Sequence, residues 1–375
     1  MRPKLMSATD RASFSKFRKT FTHIGKLLFS LSLVLTGSSA TTFAQSNWQP
    51  LPPFPAPTKE MIAVAAGGEI YIFAGQAKFF TPLGLVFAYD PATKAWTTKK
   101  PMPLAAHHVA MVEYNGKIYG FGGFKKPASG EIAWEPVDNS WEYDPAADTW
   151  KPLAPMPSKR GAASATVVNG KIYVMGGAGV QPGAKNVPLI LSADGGTPSR
   201  SLDNVEEYDV ASNSWRERTT MPTPRNHFAL AAVNGKIYAI GGRMGSAFSL
   251  FGTDTEVVEE YTPATDMWGS EKAKMSTPRA SMSWGVYNGR ICVIGGDMSD
   301  ARLSATFRTA EAYDPATDQW SVLPTVPQGR APATGAVVGD TFYLLSEYSG
   351  YRNQTGERKE SEGSPFDALR LILLQ

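Results

Sequence analysis

The residues of this chain that could do chemistry recur in equivalent short segments, each placed just ahead of a strand-like stretch. Three of the four histidines lie in two of these segments, as His107, His108 and His227. An imidazole donates and accepts protons near neutral pH and can also ligate a metal. Glu60 lies in the equivalent segment nearest the start of the chain, and Arg225 stands just before His227. If the protein is an enzyme, Glu60, His107, Arg225 and His227 are the candidates for catalysis.

A wider set of polar residues at these positions, and just beyond the strands that follow, could hold a ligand. Arg160, Arg225, Arg279 and Arg330 share one register of the repeat. A partial ring of guanidinium groups suits an anion such as a carboxylate. Alternatively, a repeated arginine ties down its own loop by bonding to neighbouring carbonyls. The predicted ligand-binding residues are Lys59, His107, His108, Arg160, Arg225, Asn226, His227, Arg243, Arg279, Ser281, Asp297 and Arg330.

We predict neither a metal nor a cofactor at these positions. His107 and His108 are adjacent, so they should point to opposite faces of a strand, and His227 lies two repeats further on. A tight cluster of metal ligands is therefore not expected. The alternative for each histidine is that it simply caps or fills an inner strand. The sequence also contains no phosphate-binding glycine loop, no Ser-His-Asp set and no Cys-x-x-Cys pair.

A segment that recurs about every 50 residues must position these side chains. Each clear copy has an Asn-Gly pair between two apolar runs, which predicts a two-residue β-hairpin turn. The strand before the turn is rich in small residues, as suits the crowded inner strand of a radial array. The strand after it ends in Gly-Gly. The clear copies are Met102–Gly123, Met156–Gly177, Met221–Gly242 and Met275–Gly296, with degenerate copies at Phe54–Gly75 and Val326–Ser346.

Each copy continues through a variable loop, a third strand, a turn and a tryptophan, which predicts four antiparallel strands per repeat. Trp48 reads as a fourth strand that lacks its first three. Ala333–Ser346 and Phe366–Leu374 supply three strands that lack a fourth. The sequence therefore predicts an all-β propeller of six blades, in which the N-terminal strand completes the last blade and closes the ring. The variable loops share one face, where binding sites usually lie.

The glycine pair, tyrosine and tryptophan at these intervals resemble the Kelch repeat, over about Asn47–Gln375 in six copies. The resemblance implies a six- or seven-bladed propeller, a scaffold used by adaptors, by galactose-oxidase-like copper enzymes and by bacterial sialic acid mutarotases. The copper enzymes need a cysteine cross-linked to a tyrosine near the mouth. The single cysteine here, Cys292, lies within the predicted strand Ile291–Ile294 and reads as a buried hydrophobe. The resemblance to the mutarotases is architectural.

Residues 1–44 read as a secretory signal peptide, and residues 45–375 as the propeller. Seven basic residues and one acid precede the apolar run Leu27–Leu35, and Thr42-Phe43-Ala44 suits cleavage after Ala44. The alternative is an uncleaved anchor. Cleavage leaves 30 basic and 33 acidic residues, a formal net charge of −3 in place of +3. This charge argues against a nucleic-acid partner, and no membrane insertion is expected after cleavage.

Two functions follow as expectations. The first is a secreted or periplasmic binding module, monomeric, that holds a protein, peptide or glycan at its loop-bearing face. The second is a periplasmic sugar mutarotase or epimerase that acts on sialic-acid-like sugars, since mutarotation needs little more than an acid and a base near the anomeric centre.

Overall fold

The computed structural model describes residues 47–56, 58–77, 81–126, 135–180, 199–247, 252–299, 304–346 and 368–373. By its contacts the chain divides into Met1–Gln45 and Ser46–Gln375, and all of the described residues belong to the second unit. The predicted signal peptide lies outside them. In the described ranges every regular element is a strand, and no helix there has the length and hydropathy needed to cross a bilayer.

The strands form six antiparallel blades, which confirms the predicted six-bladed propeller. The inner, second, third and outer strands of blades 1 to 3 are Lys59–Ala66, Glu69–Ala77, Val86–Asp90 and Ala95–Lys99; Ala110–Tyr114, Lys117–Phe121, Ser140–Asp144 and Thr149–Pro152; and Ser164–Val168, Lys171–Met175, Val205–Asp209 and Ser214–Arg218. Those of blades 4 to 6 are Ala229–Val233, Lys236–Ile240, Val258–Thr262 and Met267–Trp268; Ser283–Tyr287, Arg290–Ile294, Ala310–Asp314 and Gln319–Val322; and Ala333–Val338, Thr341–Ser346, Ala368–Ile372 and Trp48–Pro50.

The loops that follow the second strands begin as small additional strands. In blade 1, Thr81–Pro82 pairs with the end of the second strand. In blades 2 to 5, two-stranded ribbons form by the pairing of Phe124–Lys125 with Glu135–Pro136, Ala178–Val180 with Ser199–Ser201, Arg243–Met244 with Thr253–Asp254, and Asp297–Ser299 with Ser304–Thr306. The loop-bearing face is therefore built of ordered backbone where the loops leave the blades.

The ring closes as predicted. Trp48 pairs with Leu371, and Pro50 with Leu369, so the first strand becomes the outer strand of blade 6. The third strand of that blade, Ala368–Ile372, is shorter than the predicted Phe366–Leu374, whose ends lie outside the described residues. Closure gives the first and last segments of the propeller a shared sheet, so the third strand of blade 6 is paired on both sides.

The hairpin turns have the backbone that the Asn-Gly pairs predict. Asn234 and Gly235 both have positive φ, 51° and 76°, as a type I′ turn requires, and the other three Asn-Gly pairs match them. Cys292 is buried within the second strand of blade 5, as predicted, and burial raises the pKa of its thiol to about 11.

Each outer strand is also hydrogen-bonded to the linker that follows the preceding blade. The indole Nε1–H of every repeat tryptophan donates to a carbonyl of that linker. The donor–acceptor pairs are Trp48–Pro324 (2.8 Å), Trp96–Pro52 (3.3 Å), Trp150–Lys100 (3.1 Å), Trp215–Ala154 (2.8 Å), Trp268–Thr219 (3.1 Å) and Trp320–Ala273 (2.8 Å). The tryptophans thus tie neighbouring blades together by hydrogen bonding as well as by packing.

In four blades the side chain two residues before the tryptophan accepts the backbone N–H of the same linker residue. These acceptors are Asp148 for Lys100, Asn213 for Ala154, Asp266 for Thr219 and Asp318 for Ala273. Each also accepts the hydroxyl hydrogen of the tyrosine of its own blade. In blade 1 the linker residue that accepts from the tryptophan is Pro52, which has no N–H. The position of the side-chain acceptor is held there by Lys94. The sequence thus departs from the Asp-x-Trp pattern where the linker has no hydrogen to donate.

These hydrogen bonds lead to a specific prediction for Asp266. Asp266→Ala leaves the Thr219 N–H and the Tyr261 hydroxyl without their acceptor, and we expect a loss of about 1–2 kcal/mol in the free energy of unfolding, measured by urea titration. Asp266→Asn should retain most of that stability, since Asn213 makes both contacts in blade 3. Equal losses in the two variants would contradict the proposed role of the side-chain oxygen.

The contribution of Asp266 to stability should also depend on pH. Burial by itself would raise the pKa of Asp266, but hydrogen bonds from Tyr261 and Thr219 lower it below its ordinary value. A carboxyl with a lowered folded-state pKa stabilises the fold above its unfolded pKa of ~3.9, and this contribution is lost as the pH falls through the folded-state pKa. Asp266→Asn should therefore gain stability relative to the wild type on acidification, and a difference that does not depend on pH would exclude this coupling.

Candidate functional site

The repeat brings six equivalent residues to one end of the propeller axis, each seven positions before the first residue of its hairpin turn. Five of them have positive φ values between 52° and 56°. The six, here called the axial ring, are Glu60, His108, Ala162, His227, Ser281 and Pro332. The register is the same in every blade, so the repeat fixes where each member lies. The residue type at that position varies between blades.

Backbone hydrogen bonds join four members of the axial ring, those of blades 2 to 5, from blade to blade. Ala162 N donates to His108 O, His227 N to Ala162 O, and Ser281 N to His227 O, at 2.9–3.1 Å. Ala333 N donates to Ser281 O at 3.0 Å. Side chains at these positions are therefore held by a continuous backbone rather than by flexible loops.

The side chains of the ring meet those of adjacent positions in a polar group, here called the axial cluster. It consists of Glu60, His107, His108, Asn226, His227, Arg243 and Asp297. Glu60 Oε2 lies 3.1 Å from His108 Nε2, and the His108 and His227 ring centroids lie 4.8 Å apart. The sequence argument against a tight cluster, that His227 lies two repeats from the other histidines, does not hold in the structure. Position along the chain misled it, because equivalent ring positions converge on the axis.

Two buried neighbours hold the histidines. Nδ1 of His227 lies 2.5 Å from Asn226 Oδ1, and Nδ1 of His108 lies 2.5 Å from Nδ1 of His107. The Asn226 amide in turn donates to Ser201 Oγ at 2.7 Å. Since an amide oxygen only accepts, the His227 hydrogen resides on Nδ1 and its Nε2 carries a lone pair.

Arg243 supplies the cationic group of the axial cluster. Its Nε lies 3.0 Å from Asp254 Oδ1, and one terminal nitrogen lies 3.1 Å from Asp297 Oδ1. The other terminal nitrogen donates to Ala247 O at 3.3 Å. Two carboxyl groups thus contact one guanidinium, and the pair Arg243–Asp297 joins the ribbons of blades 4 and 5.

Burial sets the charges of this cluster. It holds the pKa of His227 and of His107 well below the ordinary value, and the neighbouring His108 lowers both further. Burial alone would raise the pKa of Glu60, but His108, His107 and Arg243 lower it overall. Burial raises the pKa of Asp297 despite Arg243 and a hydrogen bond from Ser281. At neutral pH the cluster therefore contains the Glu60 carboxylate and the neutral imidazoles of His107 and His227, groups that can accept protons or hydrogen bonds and can ligate cations.

The arginine register lies elsewhere, within the blades. Arg160, Arg225 and Arg279 are fully buried, and each pairs with a glutamate of its own blade. They also donate to carbonyls of the same blade, as Arg225 does to Gly241 O and Val257 O. These contacts favour the alternative in which the arginine ties down its own loop. The glutamate partners are Glu206, Glu259 and Glu311.

The remaining predicted site residues lie near the axial end in differing environments. Arg330 is buried, and its guanidinium donates to Ser346 Oγ at 3.4 Å. Lys59 is half-buried next to Glu60, and the half-buried Ser281 bonds to Asp297. Sequence reasoning missed Phe124, whose ring lies 5.7 Å from His107 and 5.8 Å from His108. Its signal was its place directly after a glycine pair, the place that Arg243 and Asp297 hold in blades 4 and 5.

The six inner strands enclose a cavity of about 520 Å³ along the axis. Its walls are mostly small side chains, as predicted from the alanine-rich strand of blade 4. The lining begins at Val109 and Ala163, directly after ring members His108 and Ala162. The axial cluster therefore lies at one end of this cavity.

These features define a closed six-bladed propeller with a polar cluster at one end of its axis. Family models for Kelch repeats match the chain in four places. The KLHDC2/KLHL20/DRC7 Kelch-repeats domain matches residues 32–181, and Kelch motifs match residues 159–222, 224–268 and 278–327. The chain is therefore a Kelch-repeat β-propeller protein, as the resemblance implied.

Curated relatives and solved structures agree with this assignment. Kelch-like protein terF of Aspergillus terreus is 28% identical over 79% of this chain and 64% of its own length. Kelch-like protein 23 of Homo sapiens is 27% identical over 72% of this chain and 42% of its own length, so the chain spans less than two thirds of these relatives. A solved structure described as "Structure of YjhT" shares the fold, with 18% identity, a TM-score of 0.66, and coverage of 80% of this chain and 93% of that one.

Proposed function

We propose that this chain is an exported, monomeric binding module that holds a protein, peptide or glycan at its loop-bearing face, centred on the axial cluster. Kelch propellers are commonly interaction modules, and relatives of this chain are named Kelch-like proteins. Export rests on the residues of the predicted signal peptide, with cleavage after Ala44. The mass of the N-terminal peptide of the chain recovered after secretion tests that cleavage.

The observation that carries the proposal is the contrast between the two faces. One face bears short turns of uniform length, with two residues between the first and second strands of every blade and four between the third and outer strands of blades 1 to 5. The other bears the small ribbons and, at its centre, the axial ring, whose six members are of five residue types. A rigid scaffold that varies at one face alone is typical of binding proteins. The axial cluster offers a carboxylate, imidazoles and a guanidinium, which suit a ligand rich in hydroxyl, amide or carboxylate groups.

A steric plug tests the location. Ser281→Trp places a large ring at a half-buried member of the axial ring, and we expect it to weaken binding on a glycan and peptide array by at least about tenfold. Ala211→Trp is the control, because Ala211 is exposed at a turn on the opposite face. Equal binding by the two variants, or loss in the control alone, would move the site away from the axial cluster.

A second candidate is a sugar mutarotase or epimerase. The favouring observation is that Glu60 and His227, two of the predicted catalytic residues, lie in one cluster and both lie close to His108. Arg225 is held within its blade, and Arg243 takes the cationic place instead. Saturation-transfer NMR with sialic acid decides between the candidates: anomer exchange that is enhanced by the wild type and lost in Glu60→Gln requires an enzyme, and unchanged exchange removes that candidate.

A further inference from the structure

The axial cluster contains the elements of a metal centre that the sequence did not predict. One ligand atom from each of Glu60, His108 and His227 lies within 4.8 Å of the other two. The three residues come from blades 1, 2 and 4, so no single loop or strand accounts for their meeting. We propose that these three side chains bind one divalent cation of the late first-row transition series, for which Zn²⁺ is a suitable probe.

The donor set fits that class of cation. Two imidazoles and one carboxylate are ligands of zinc and of neighbouring transition metals, whereas Mg²⁺ and Ca²⁺ prefer oxygen alone. Bonds of ~2.0–2.1 Å at tetrahedral angles separate ligand atoms by ~3.3 Å. Glu60 Oε2 and His108 Nε2 are 3.1 Å apart, close to that separation.

The surrounding residues orient the ligands. Metal-bound histidines usually donate their other ring N–H to a neighbouring group, which fixes the tautomer. Asn226 Oδ1 accepts the Nδ1 hydrogen of His227 and leaves Nε2 as the ligand atom. Asn226 is itself fully buried and held by Ser201 Oγ and Ser246 O. His107 contacts Nδ1 of His108 on the side away from Glu60.

The backbone places the ligands at a fixed radius. All three are members of the axial ring, with φ values of 56°, 56° and 52°. Inter-blade backbone hydrogen bonds through Ala162 join two of them, His108 and His227. Ala162, which stands between His108 and His227 in the ring, offers only a methyl group and fills no coordination position. A cation here would therefore keep open positions for water or for a ligand of the loop-bearing face.

The local charge also suits a cation. Arg243 is the positive group near Glu60, and it is paired with both Asp254 and Asp297. With Glu60, three carboxylates face one guanidinium. The proposal stands without the proposed binding function, because it concerns only the ion.

Calorimetric titration of the purified full chain with Zn²⁺ tests the inference, after chelator dialysis and with any histidine tag removed. We expect one ion per chain, and a loss of at least about 100-fold in affinity for both Glu60→Gln and His227→Gln. Glu217→Gln, which changes an exposed carboxylate on the outer strand of blade 3, is the matched control and should bind as the wild type does. Co²⁺ should give visible absorption bands that both ligand variants lose.

Circular dichroism and tryptophan fluorescence establish which variants are folded. The proposal is overturned if the wild type binds no Zn²⁺, or if either folded ligand variant retains wild-type affinity. A Glu60–His108 hydrogen bond without a metal would give the first of these results. Zn²⁺ should also raise the melting temperature of the wild type and of Glu217→Gln, but not of the ligand variants, and an equal rise in all of them would mean binding elsewhere.

Discussion

Trp48→Ala is expected to lower the free energy of unfolding by about 3–5 kcal/mol, which would be among the largest losses from any single substitution in this chain. Trp48 is 5% exposed and belongs to a buried cluster of blades 5 and 6 that includes Cys292, Phe342 and Leu371. It also belongs to the strand that closes the ring. Removing its ring therefore creates a cavity between two blades and weakens the closing sheet together.

Urea denaturation measures the loss, and hydrogen exchange locates it. We expect amide protection to fall first in the third strand of blade 6, Ala368–Ile372, which pairs with the closing strand. Trp150→Ala is the control, since Trp150 is half-buried and lies in a blade whose four strands are continuous in sequence. Equal losses at the two tryptophans would show that closure contributes nothing beyond ordinary packing.

Arg225→Met is expected to be about as damaging, at about 3–5 kcal/mol, because it leaves a buried carboxylate without its partner. Arg225 is fully buried, and a terminal nitrogen lies 2.5 Å from Glu259 Oε2. The same guanidinium donates to Gly241 O and Val257 O. The substitution therefore removes the cation and the donor to Gly241 O, while Glu259 stays in place and Val257 O keeps only the Gly241 N–H as its donor.

A double substitution separates the buried charge from the lost packing. Arg225→Met with Glu259→Met removes both charges, and we expect it to recover a large part of the stability. Arg216→Met, at an exposed position on an outer strand, should change stability by less than about 0.5 kcal/mol. If the double variant is no more stable than Arg225→Met alone, the buried carboxylate is not the cause of the loss.

These two expectations also bear on function. A residue that ties its own blade together should destabilise the fold when it is removed, whereas a residue that binds a ligand should leave the fold intact. A large loss of stability in Arg225→Met, with the purified variant still competent on the array below its melting temperature, would assign the arginine register to structure.

The fold could be predicted from the sequence because each of its determinants is local and repeated. Asn234-Gly235 dictates its turn through positive φ at both residues, and the tryptophans recur at one place in every blade. Ring closure was readable too, since a lone outer strand at Trp48 and a three-stranded remainder at the C-terminal end complete one sheet. Hydrophobic periodicity and turn chemistry suffice for such features, because neighbours in the sequence are neighbours in the blade.

The axial cluster could be predicted from the sequence only in part. The sequence marked Glu60, the histidines and Arg243 by their register, but it gave no distances between blades. It also grouped Arg225 with them, although the two-residue step along the chain from Arg225 to His227 leads from the interior of a blade to the axis. Register along a strand predicts which residues are equivalent, and it does not predict what they contact across the ring.

The sequence by itself determined the number of blades, the strand order, the closure and the face on which variation accumulates, because each depends on short-range patterns repeated six times. Only the tertiary structure decided that His108 and His227 meet beside Glu60 and that the arginines pair with glutamates inside their blades. Curvature of the ring brings residues from separate repeats to a common axis, and such convergence depends on the angle between blades, which no local pattern encodes.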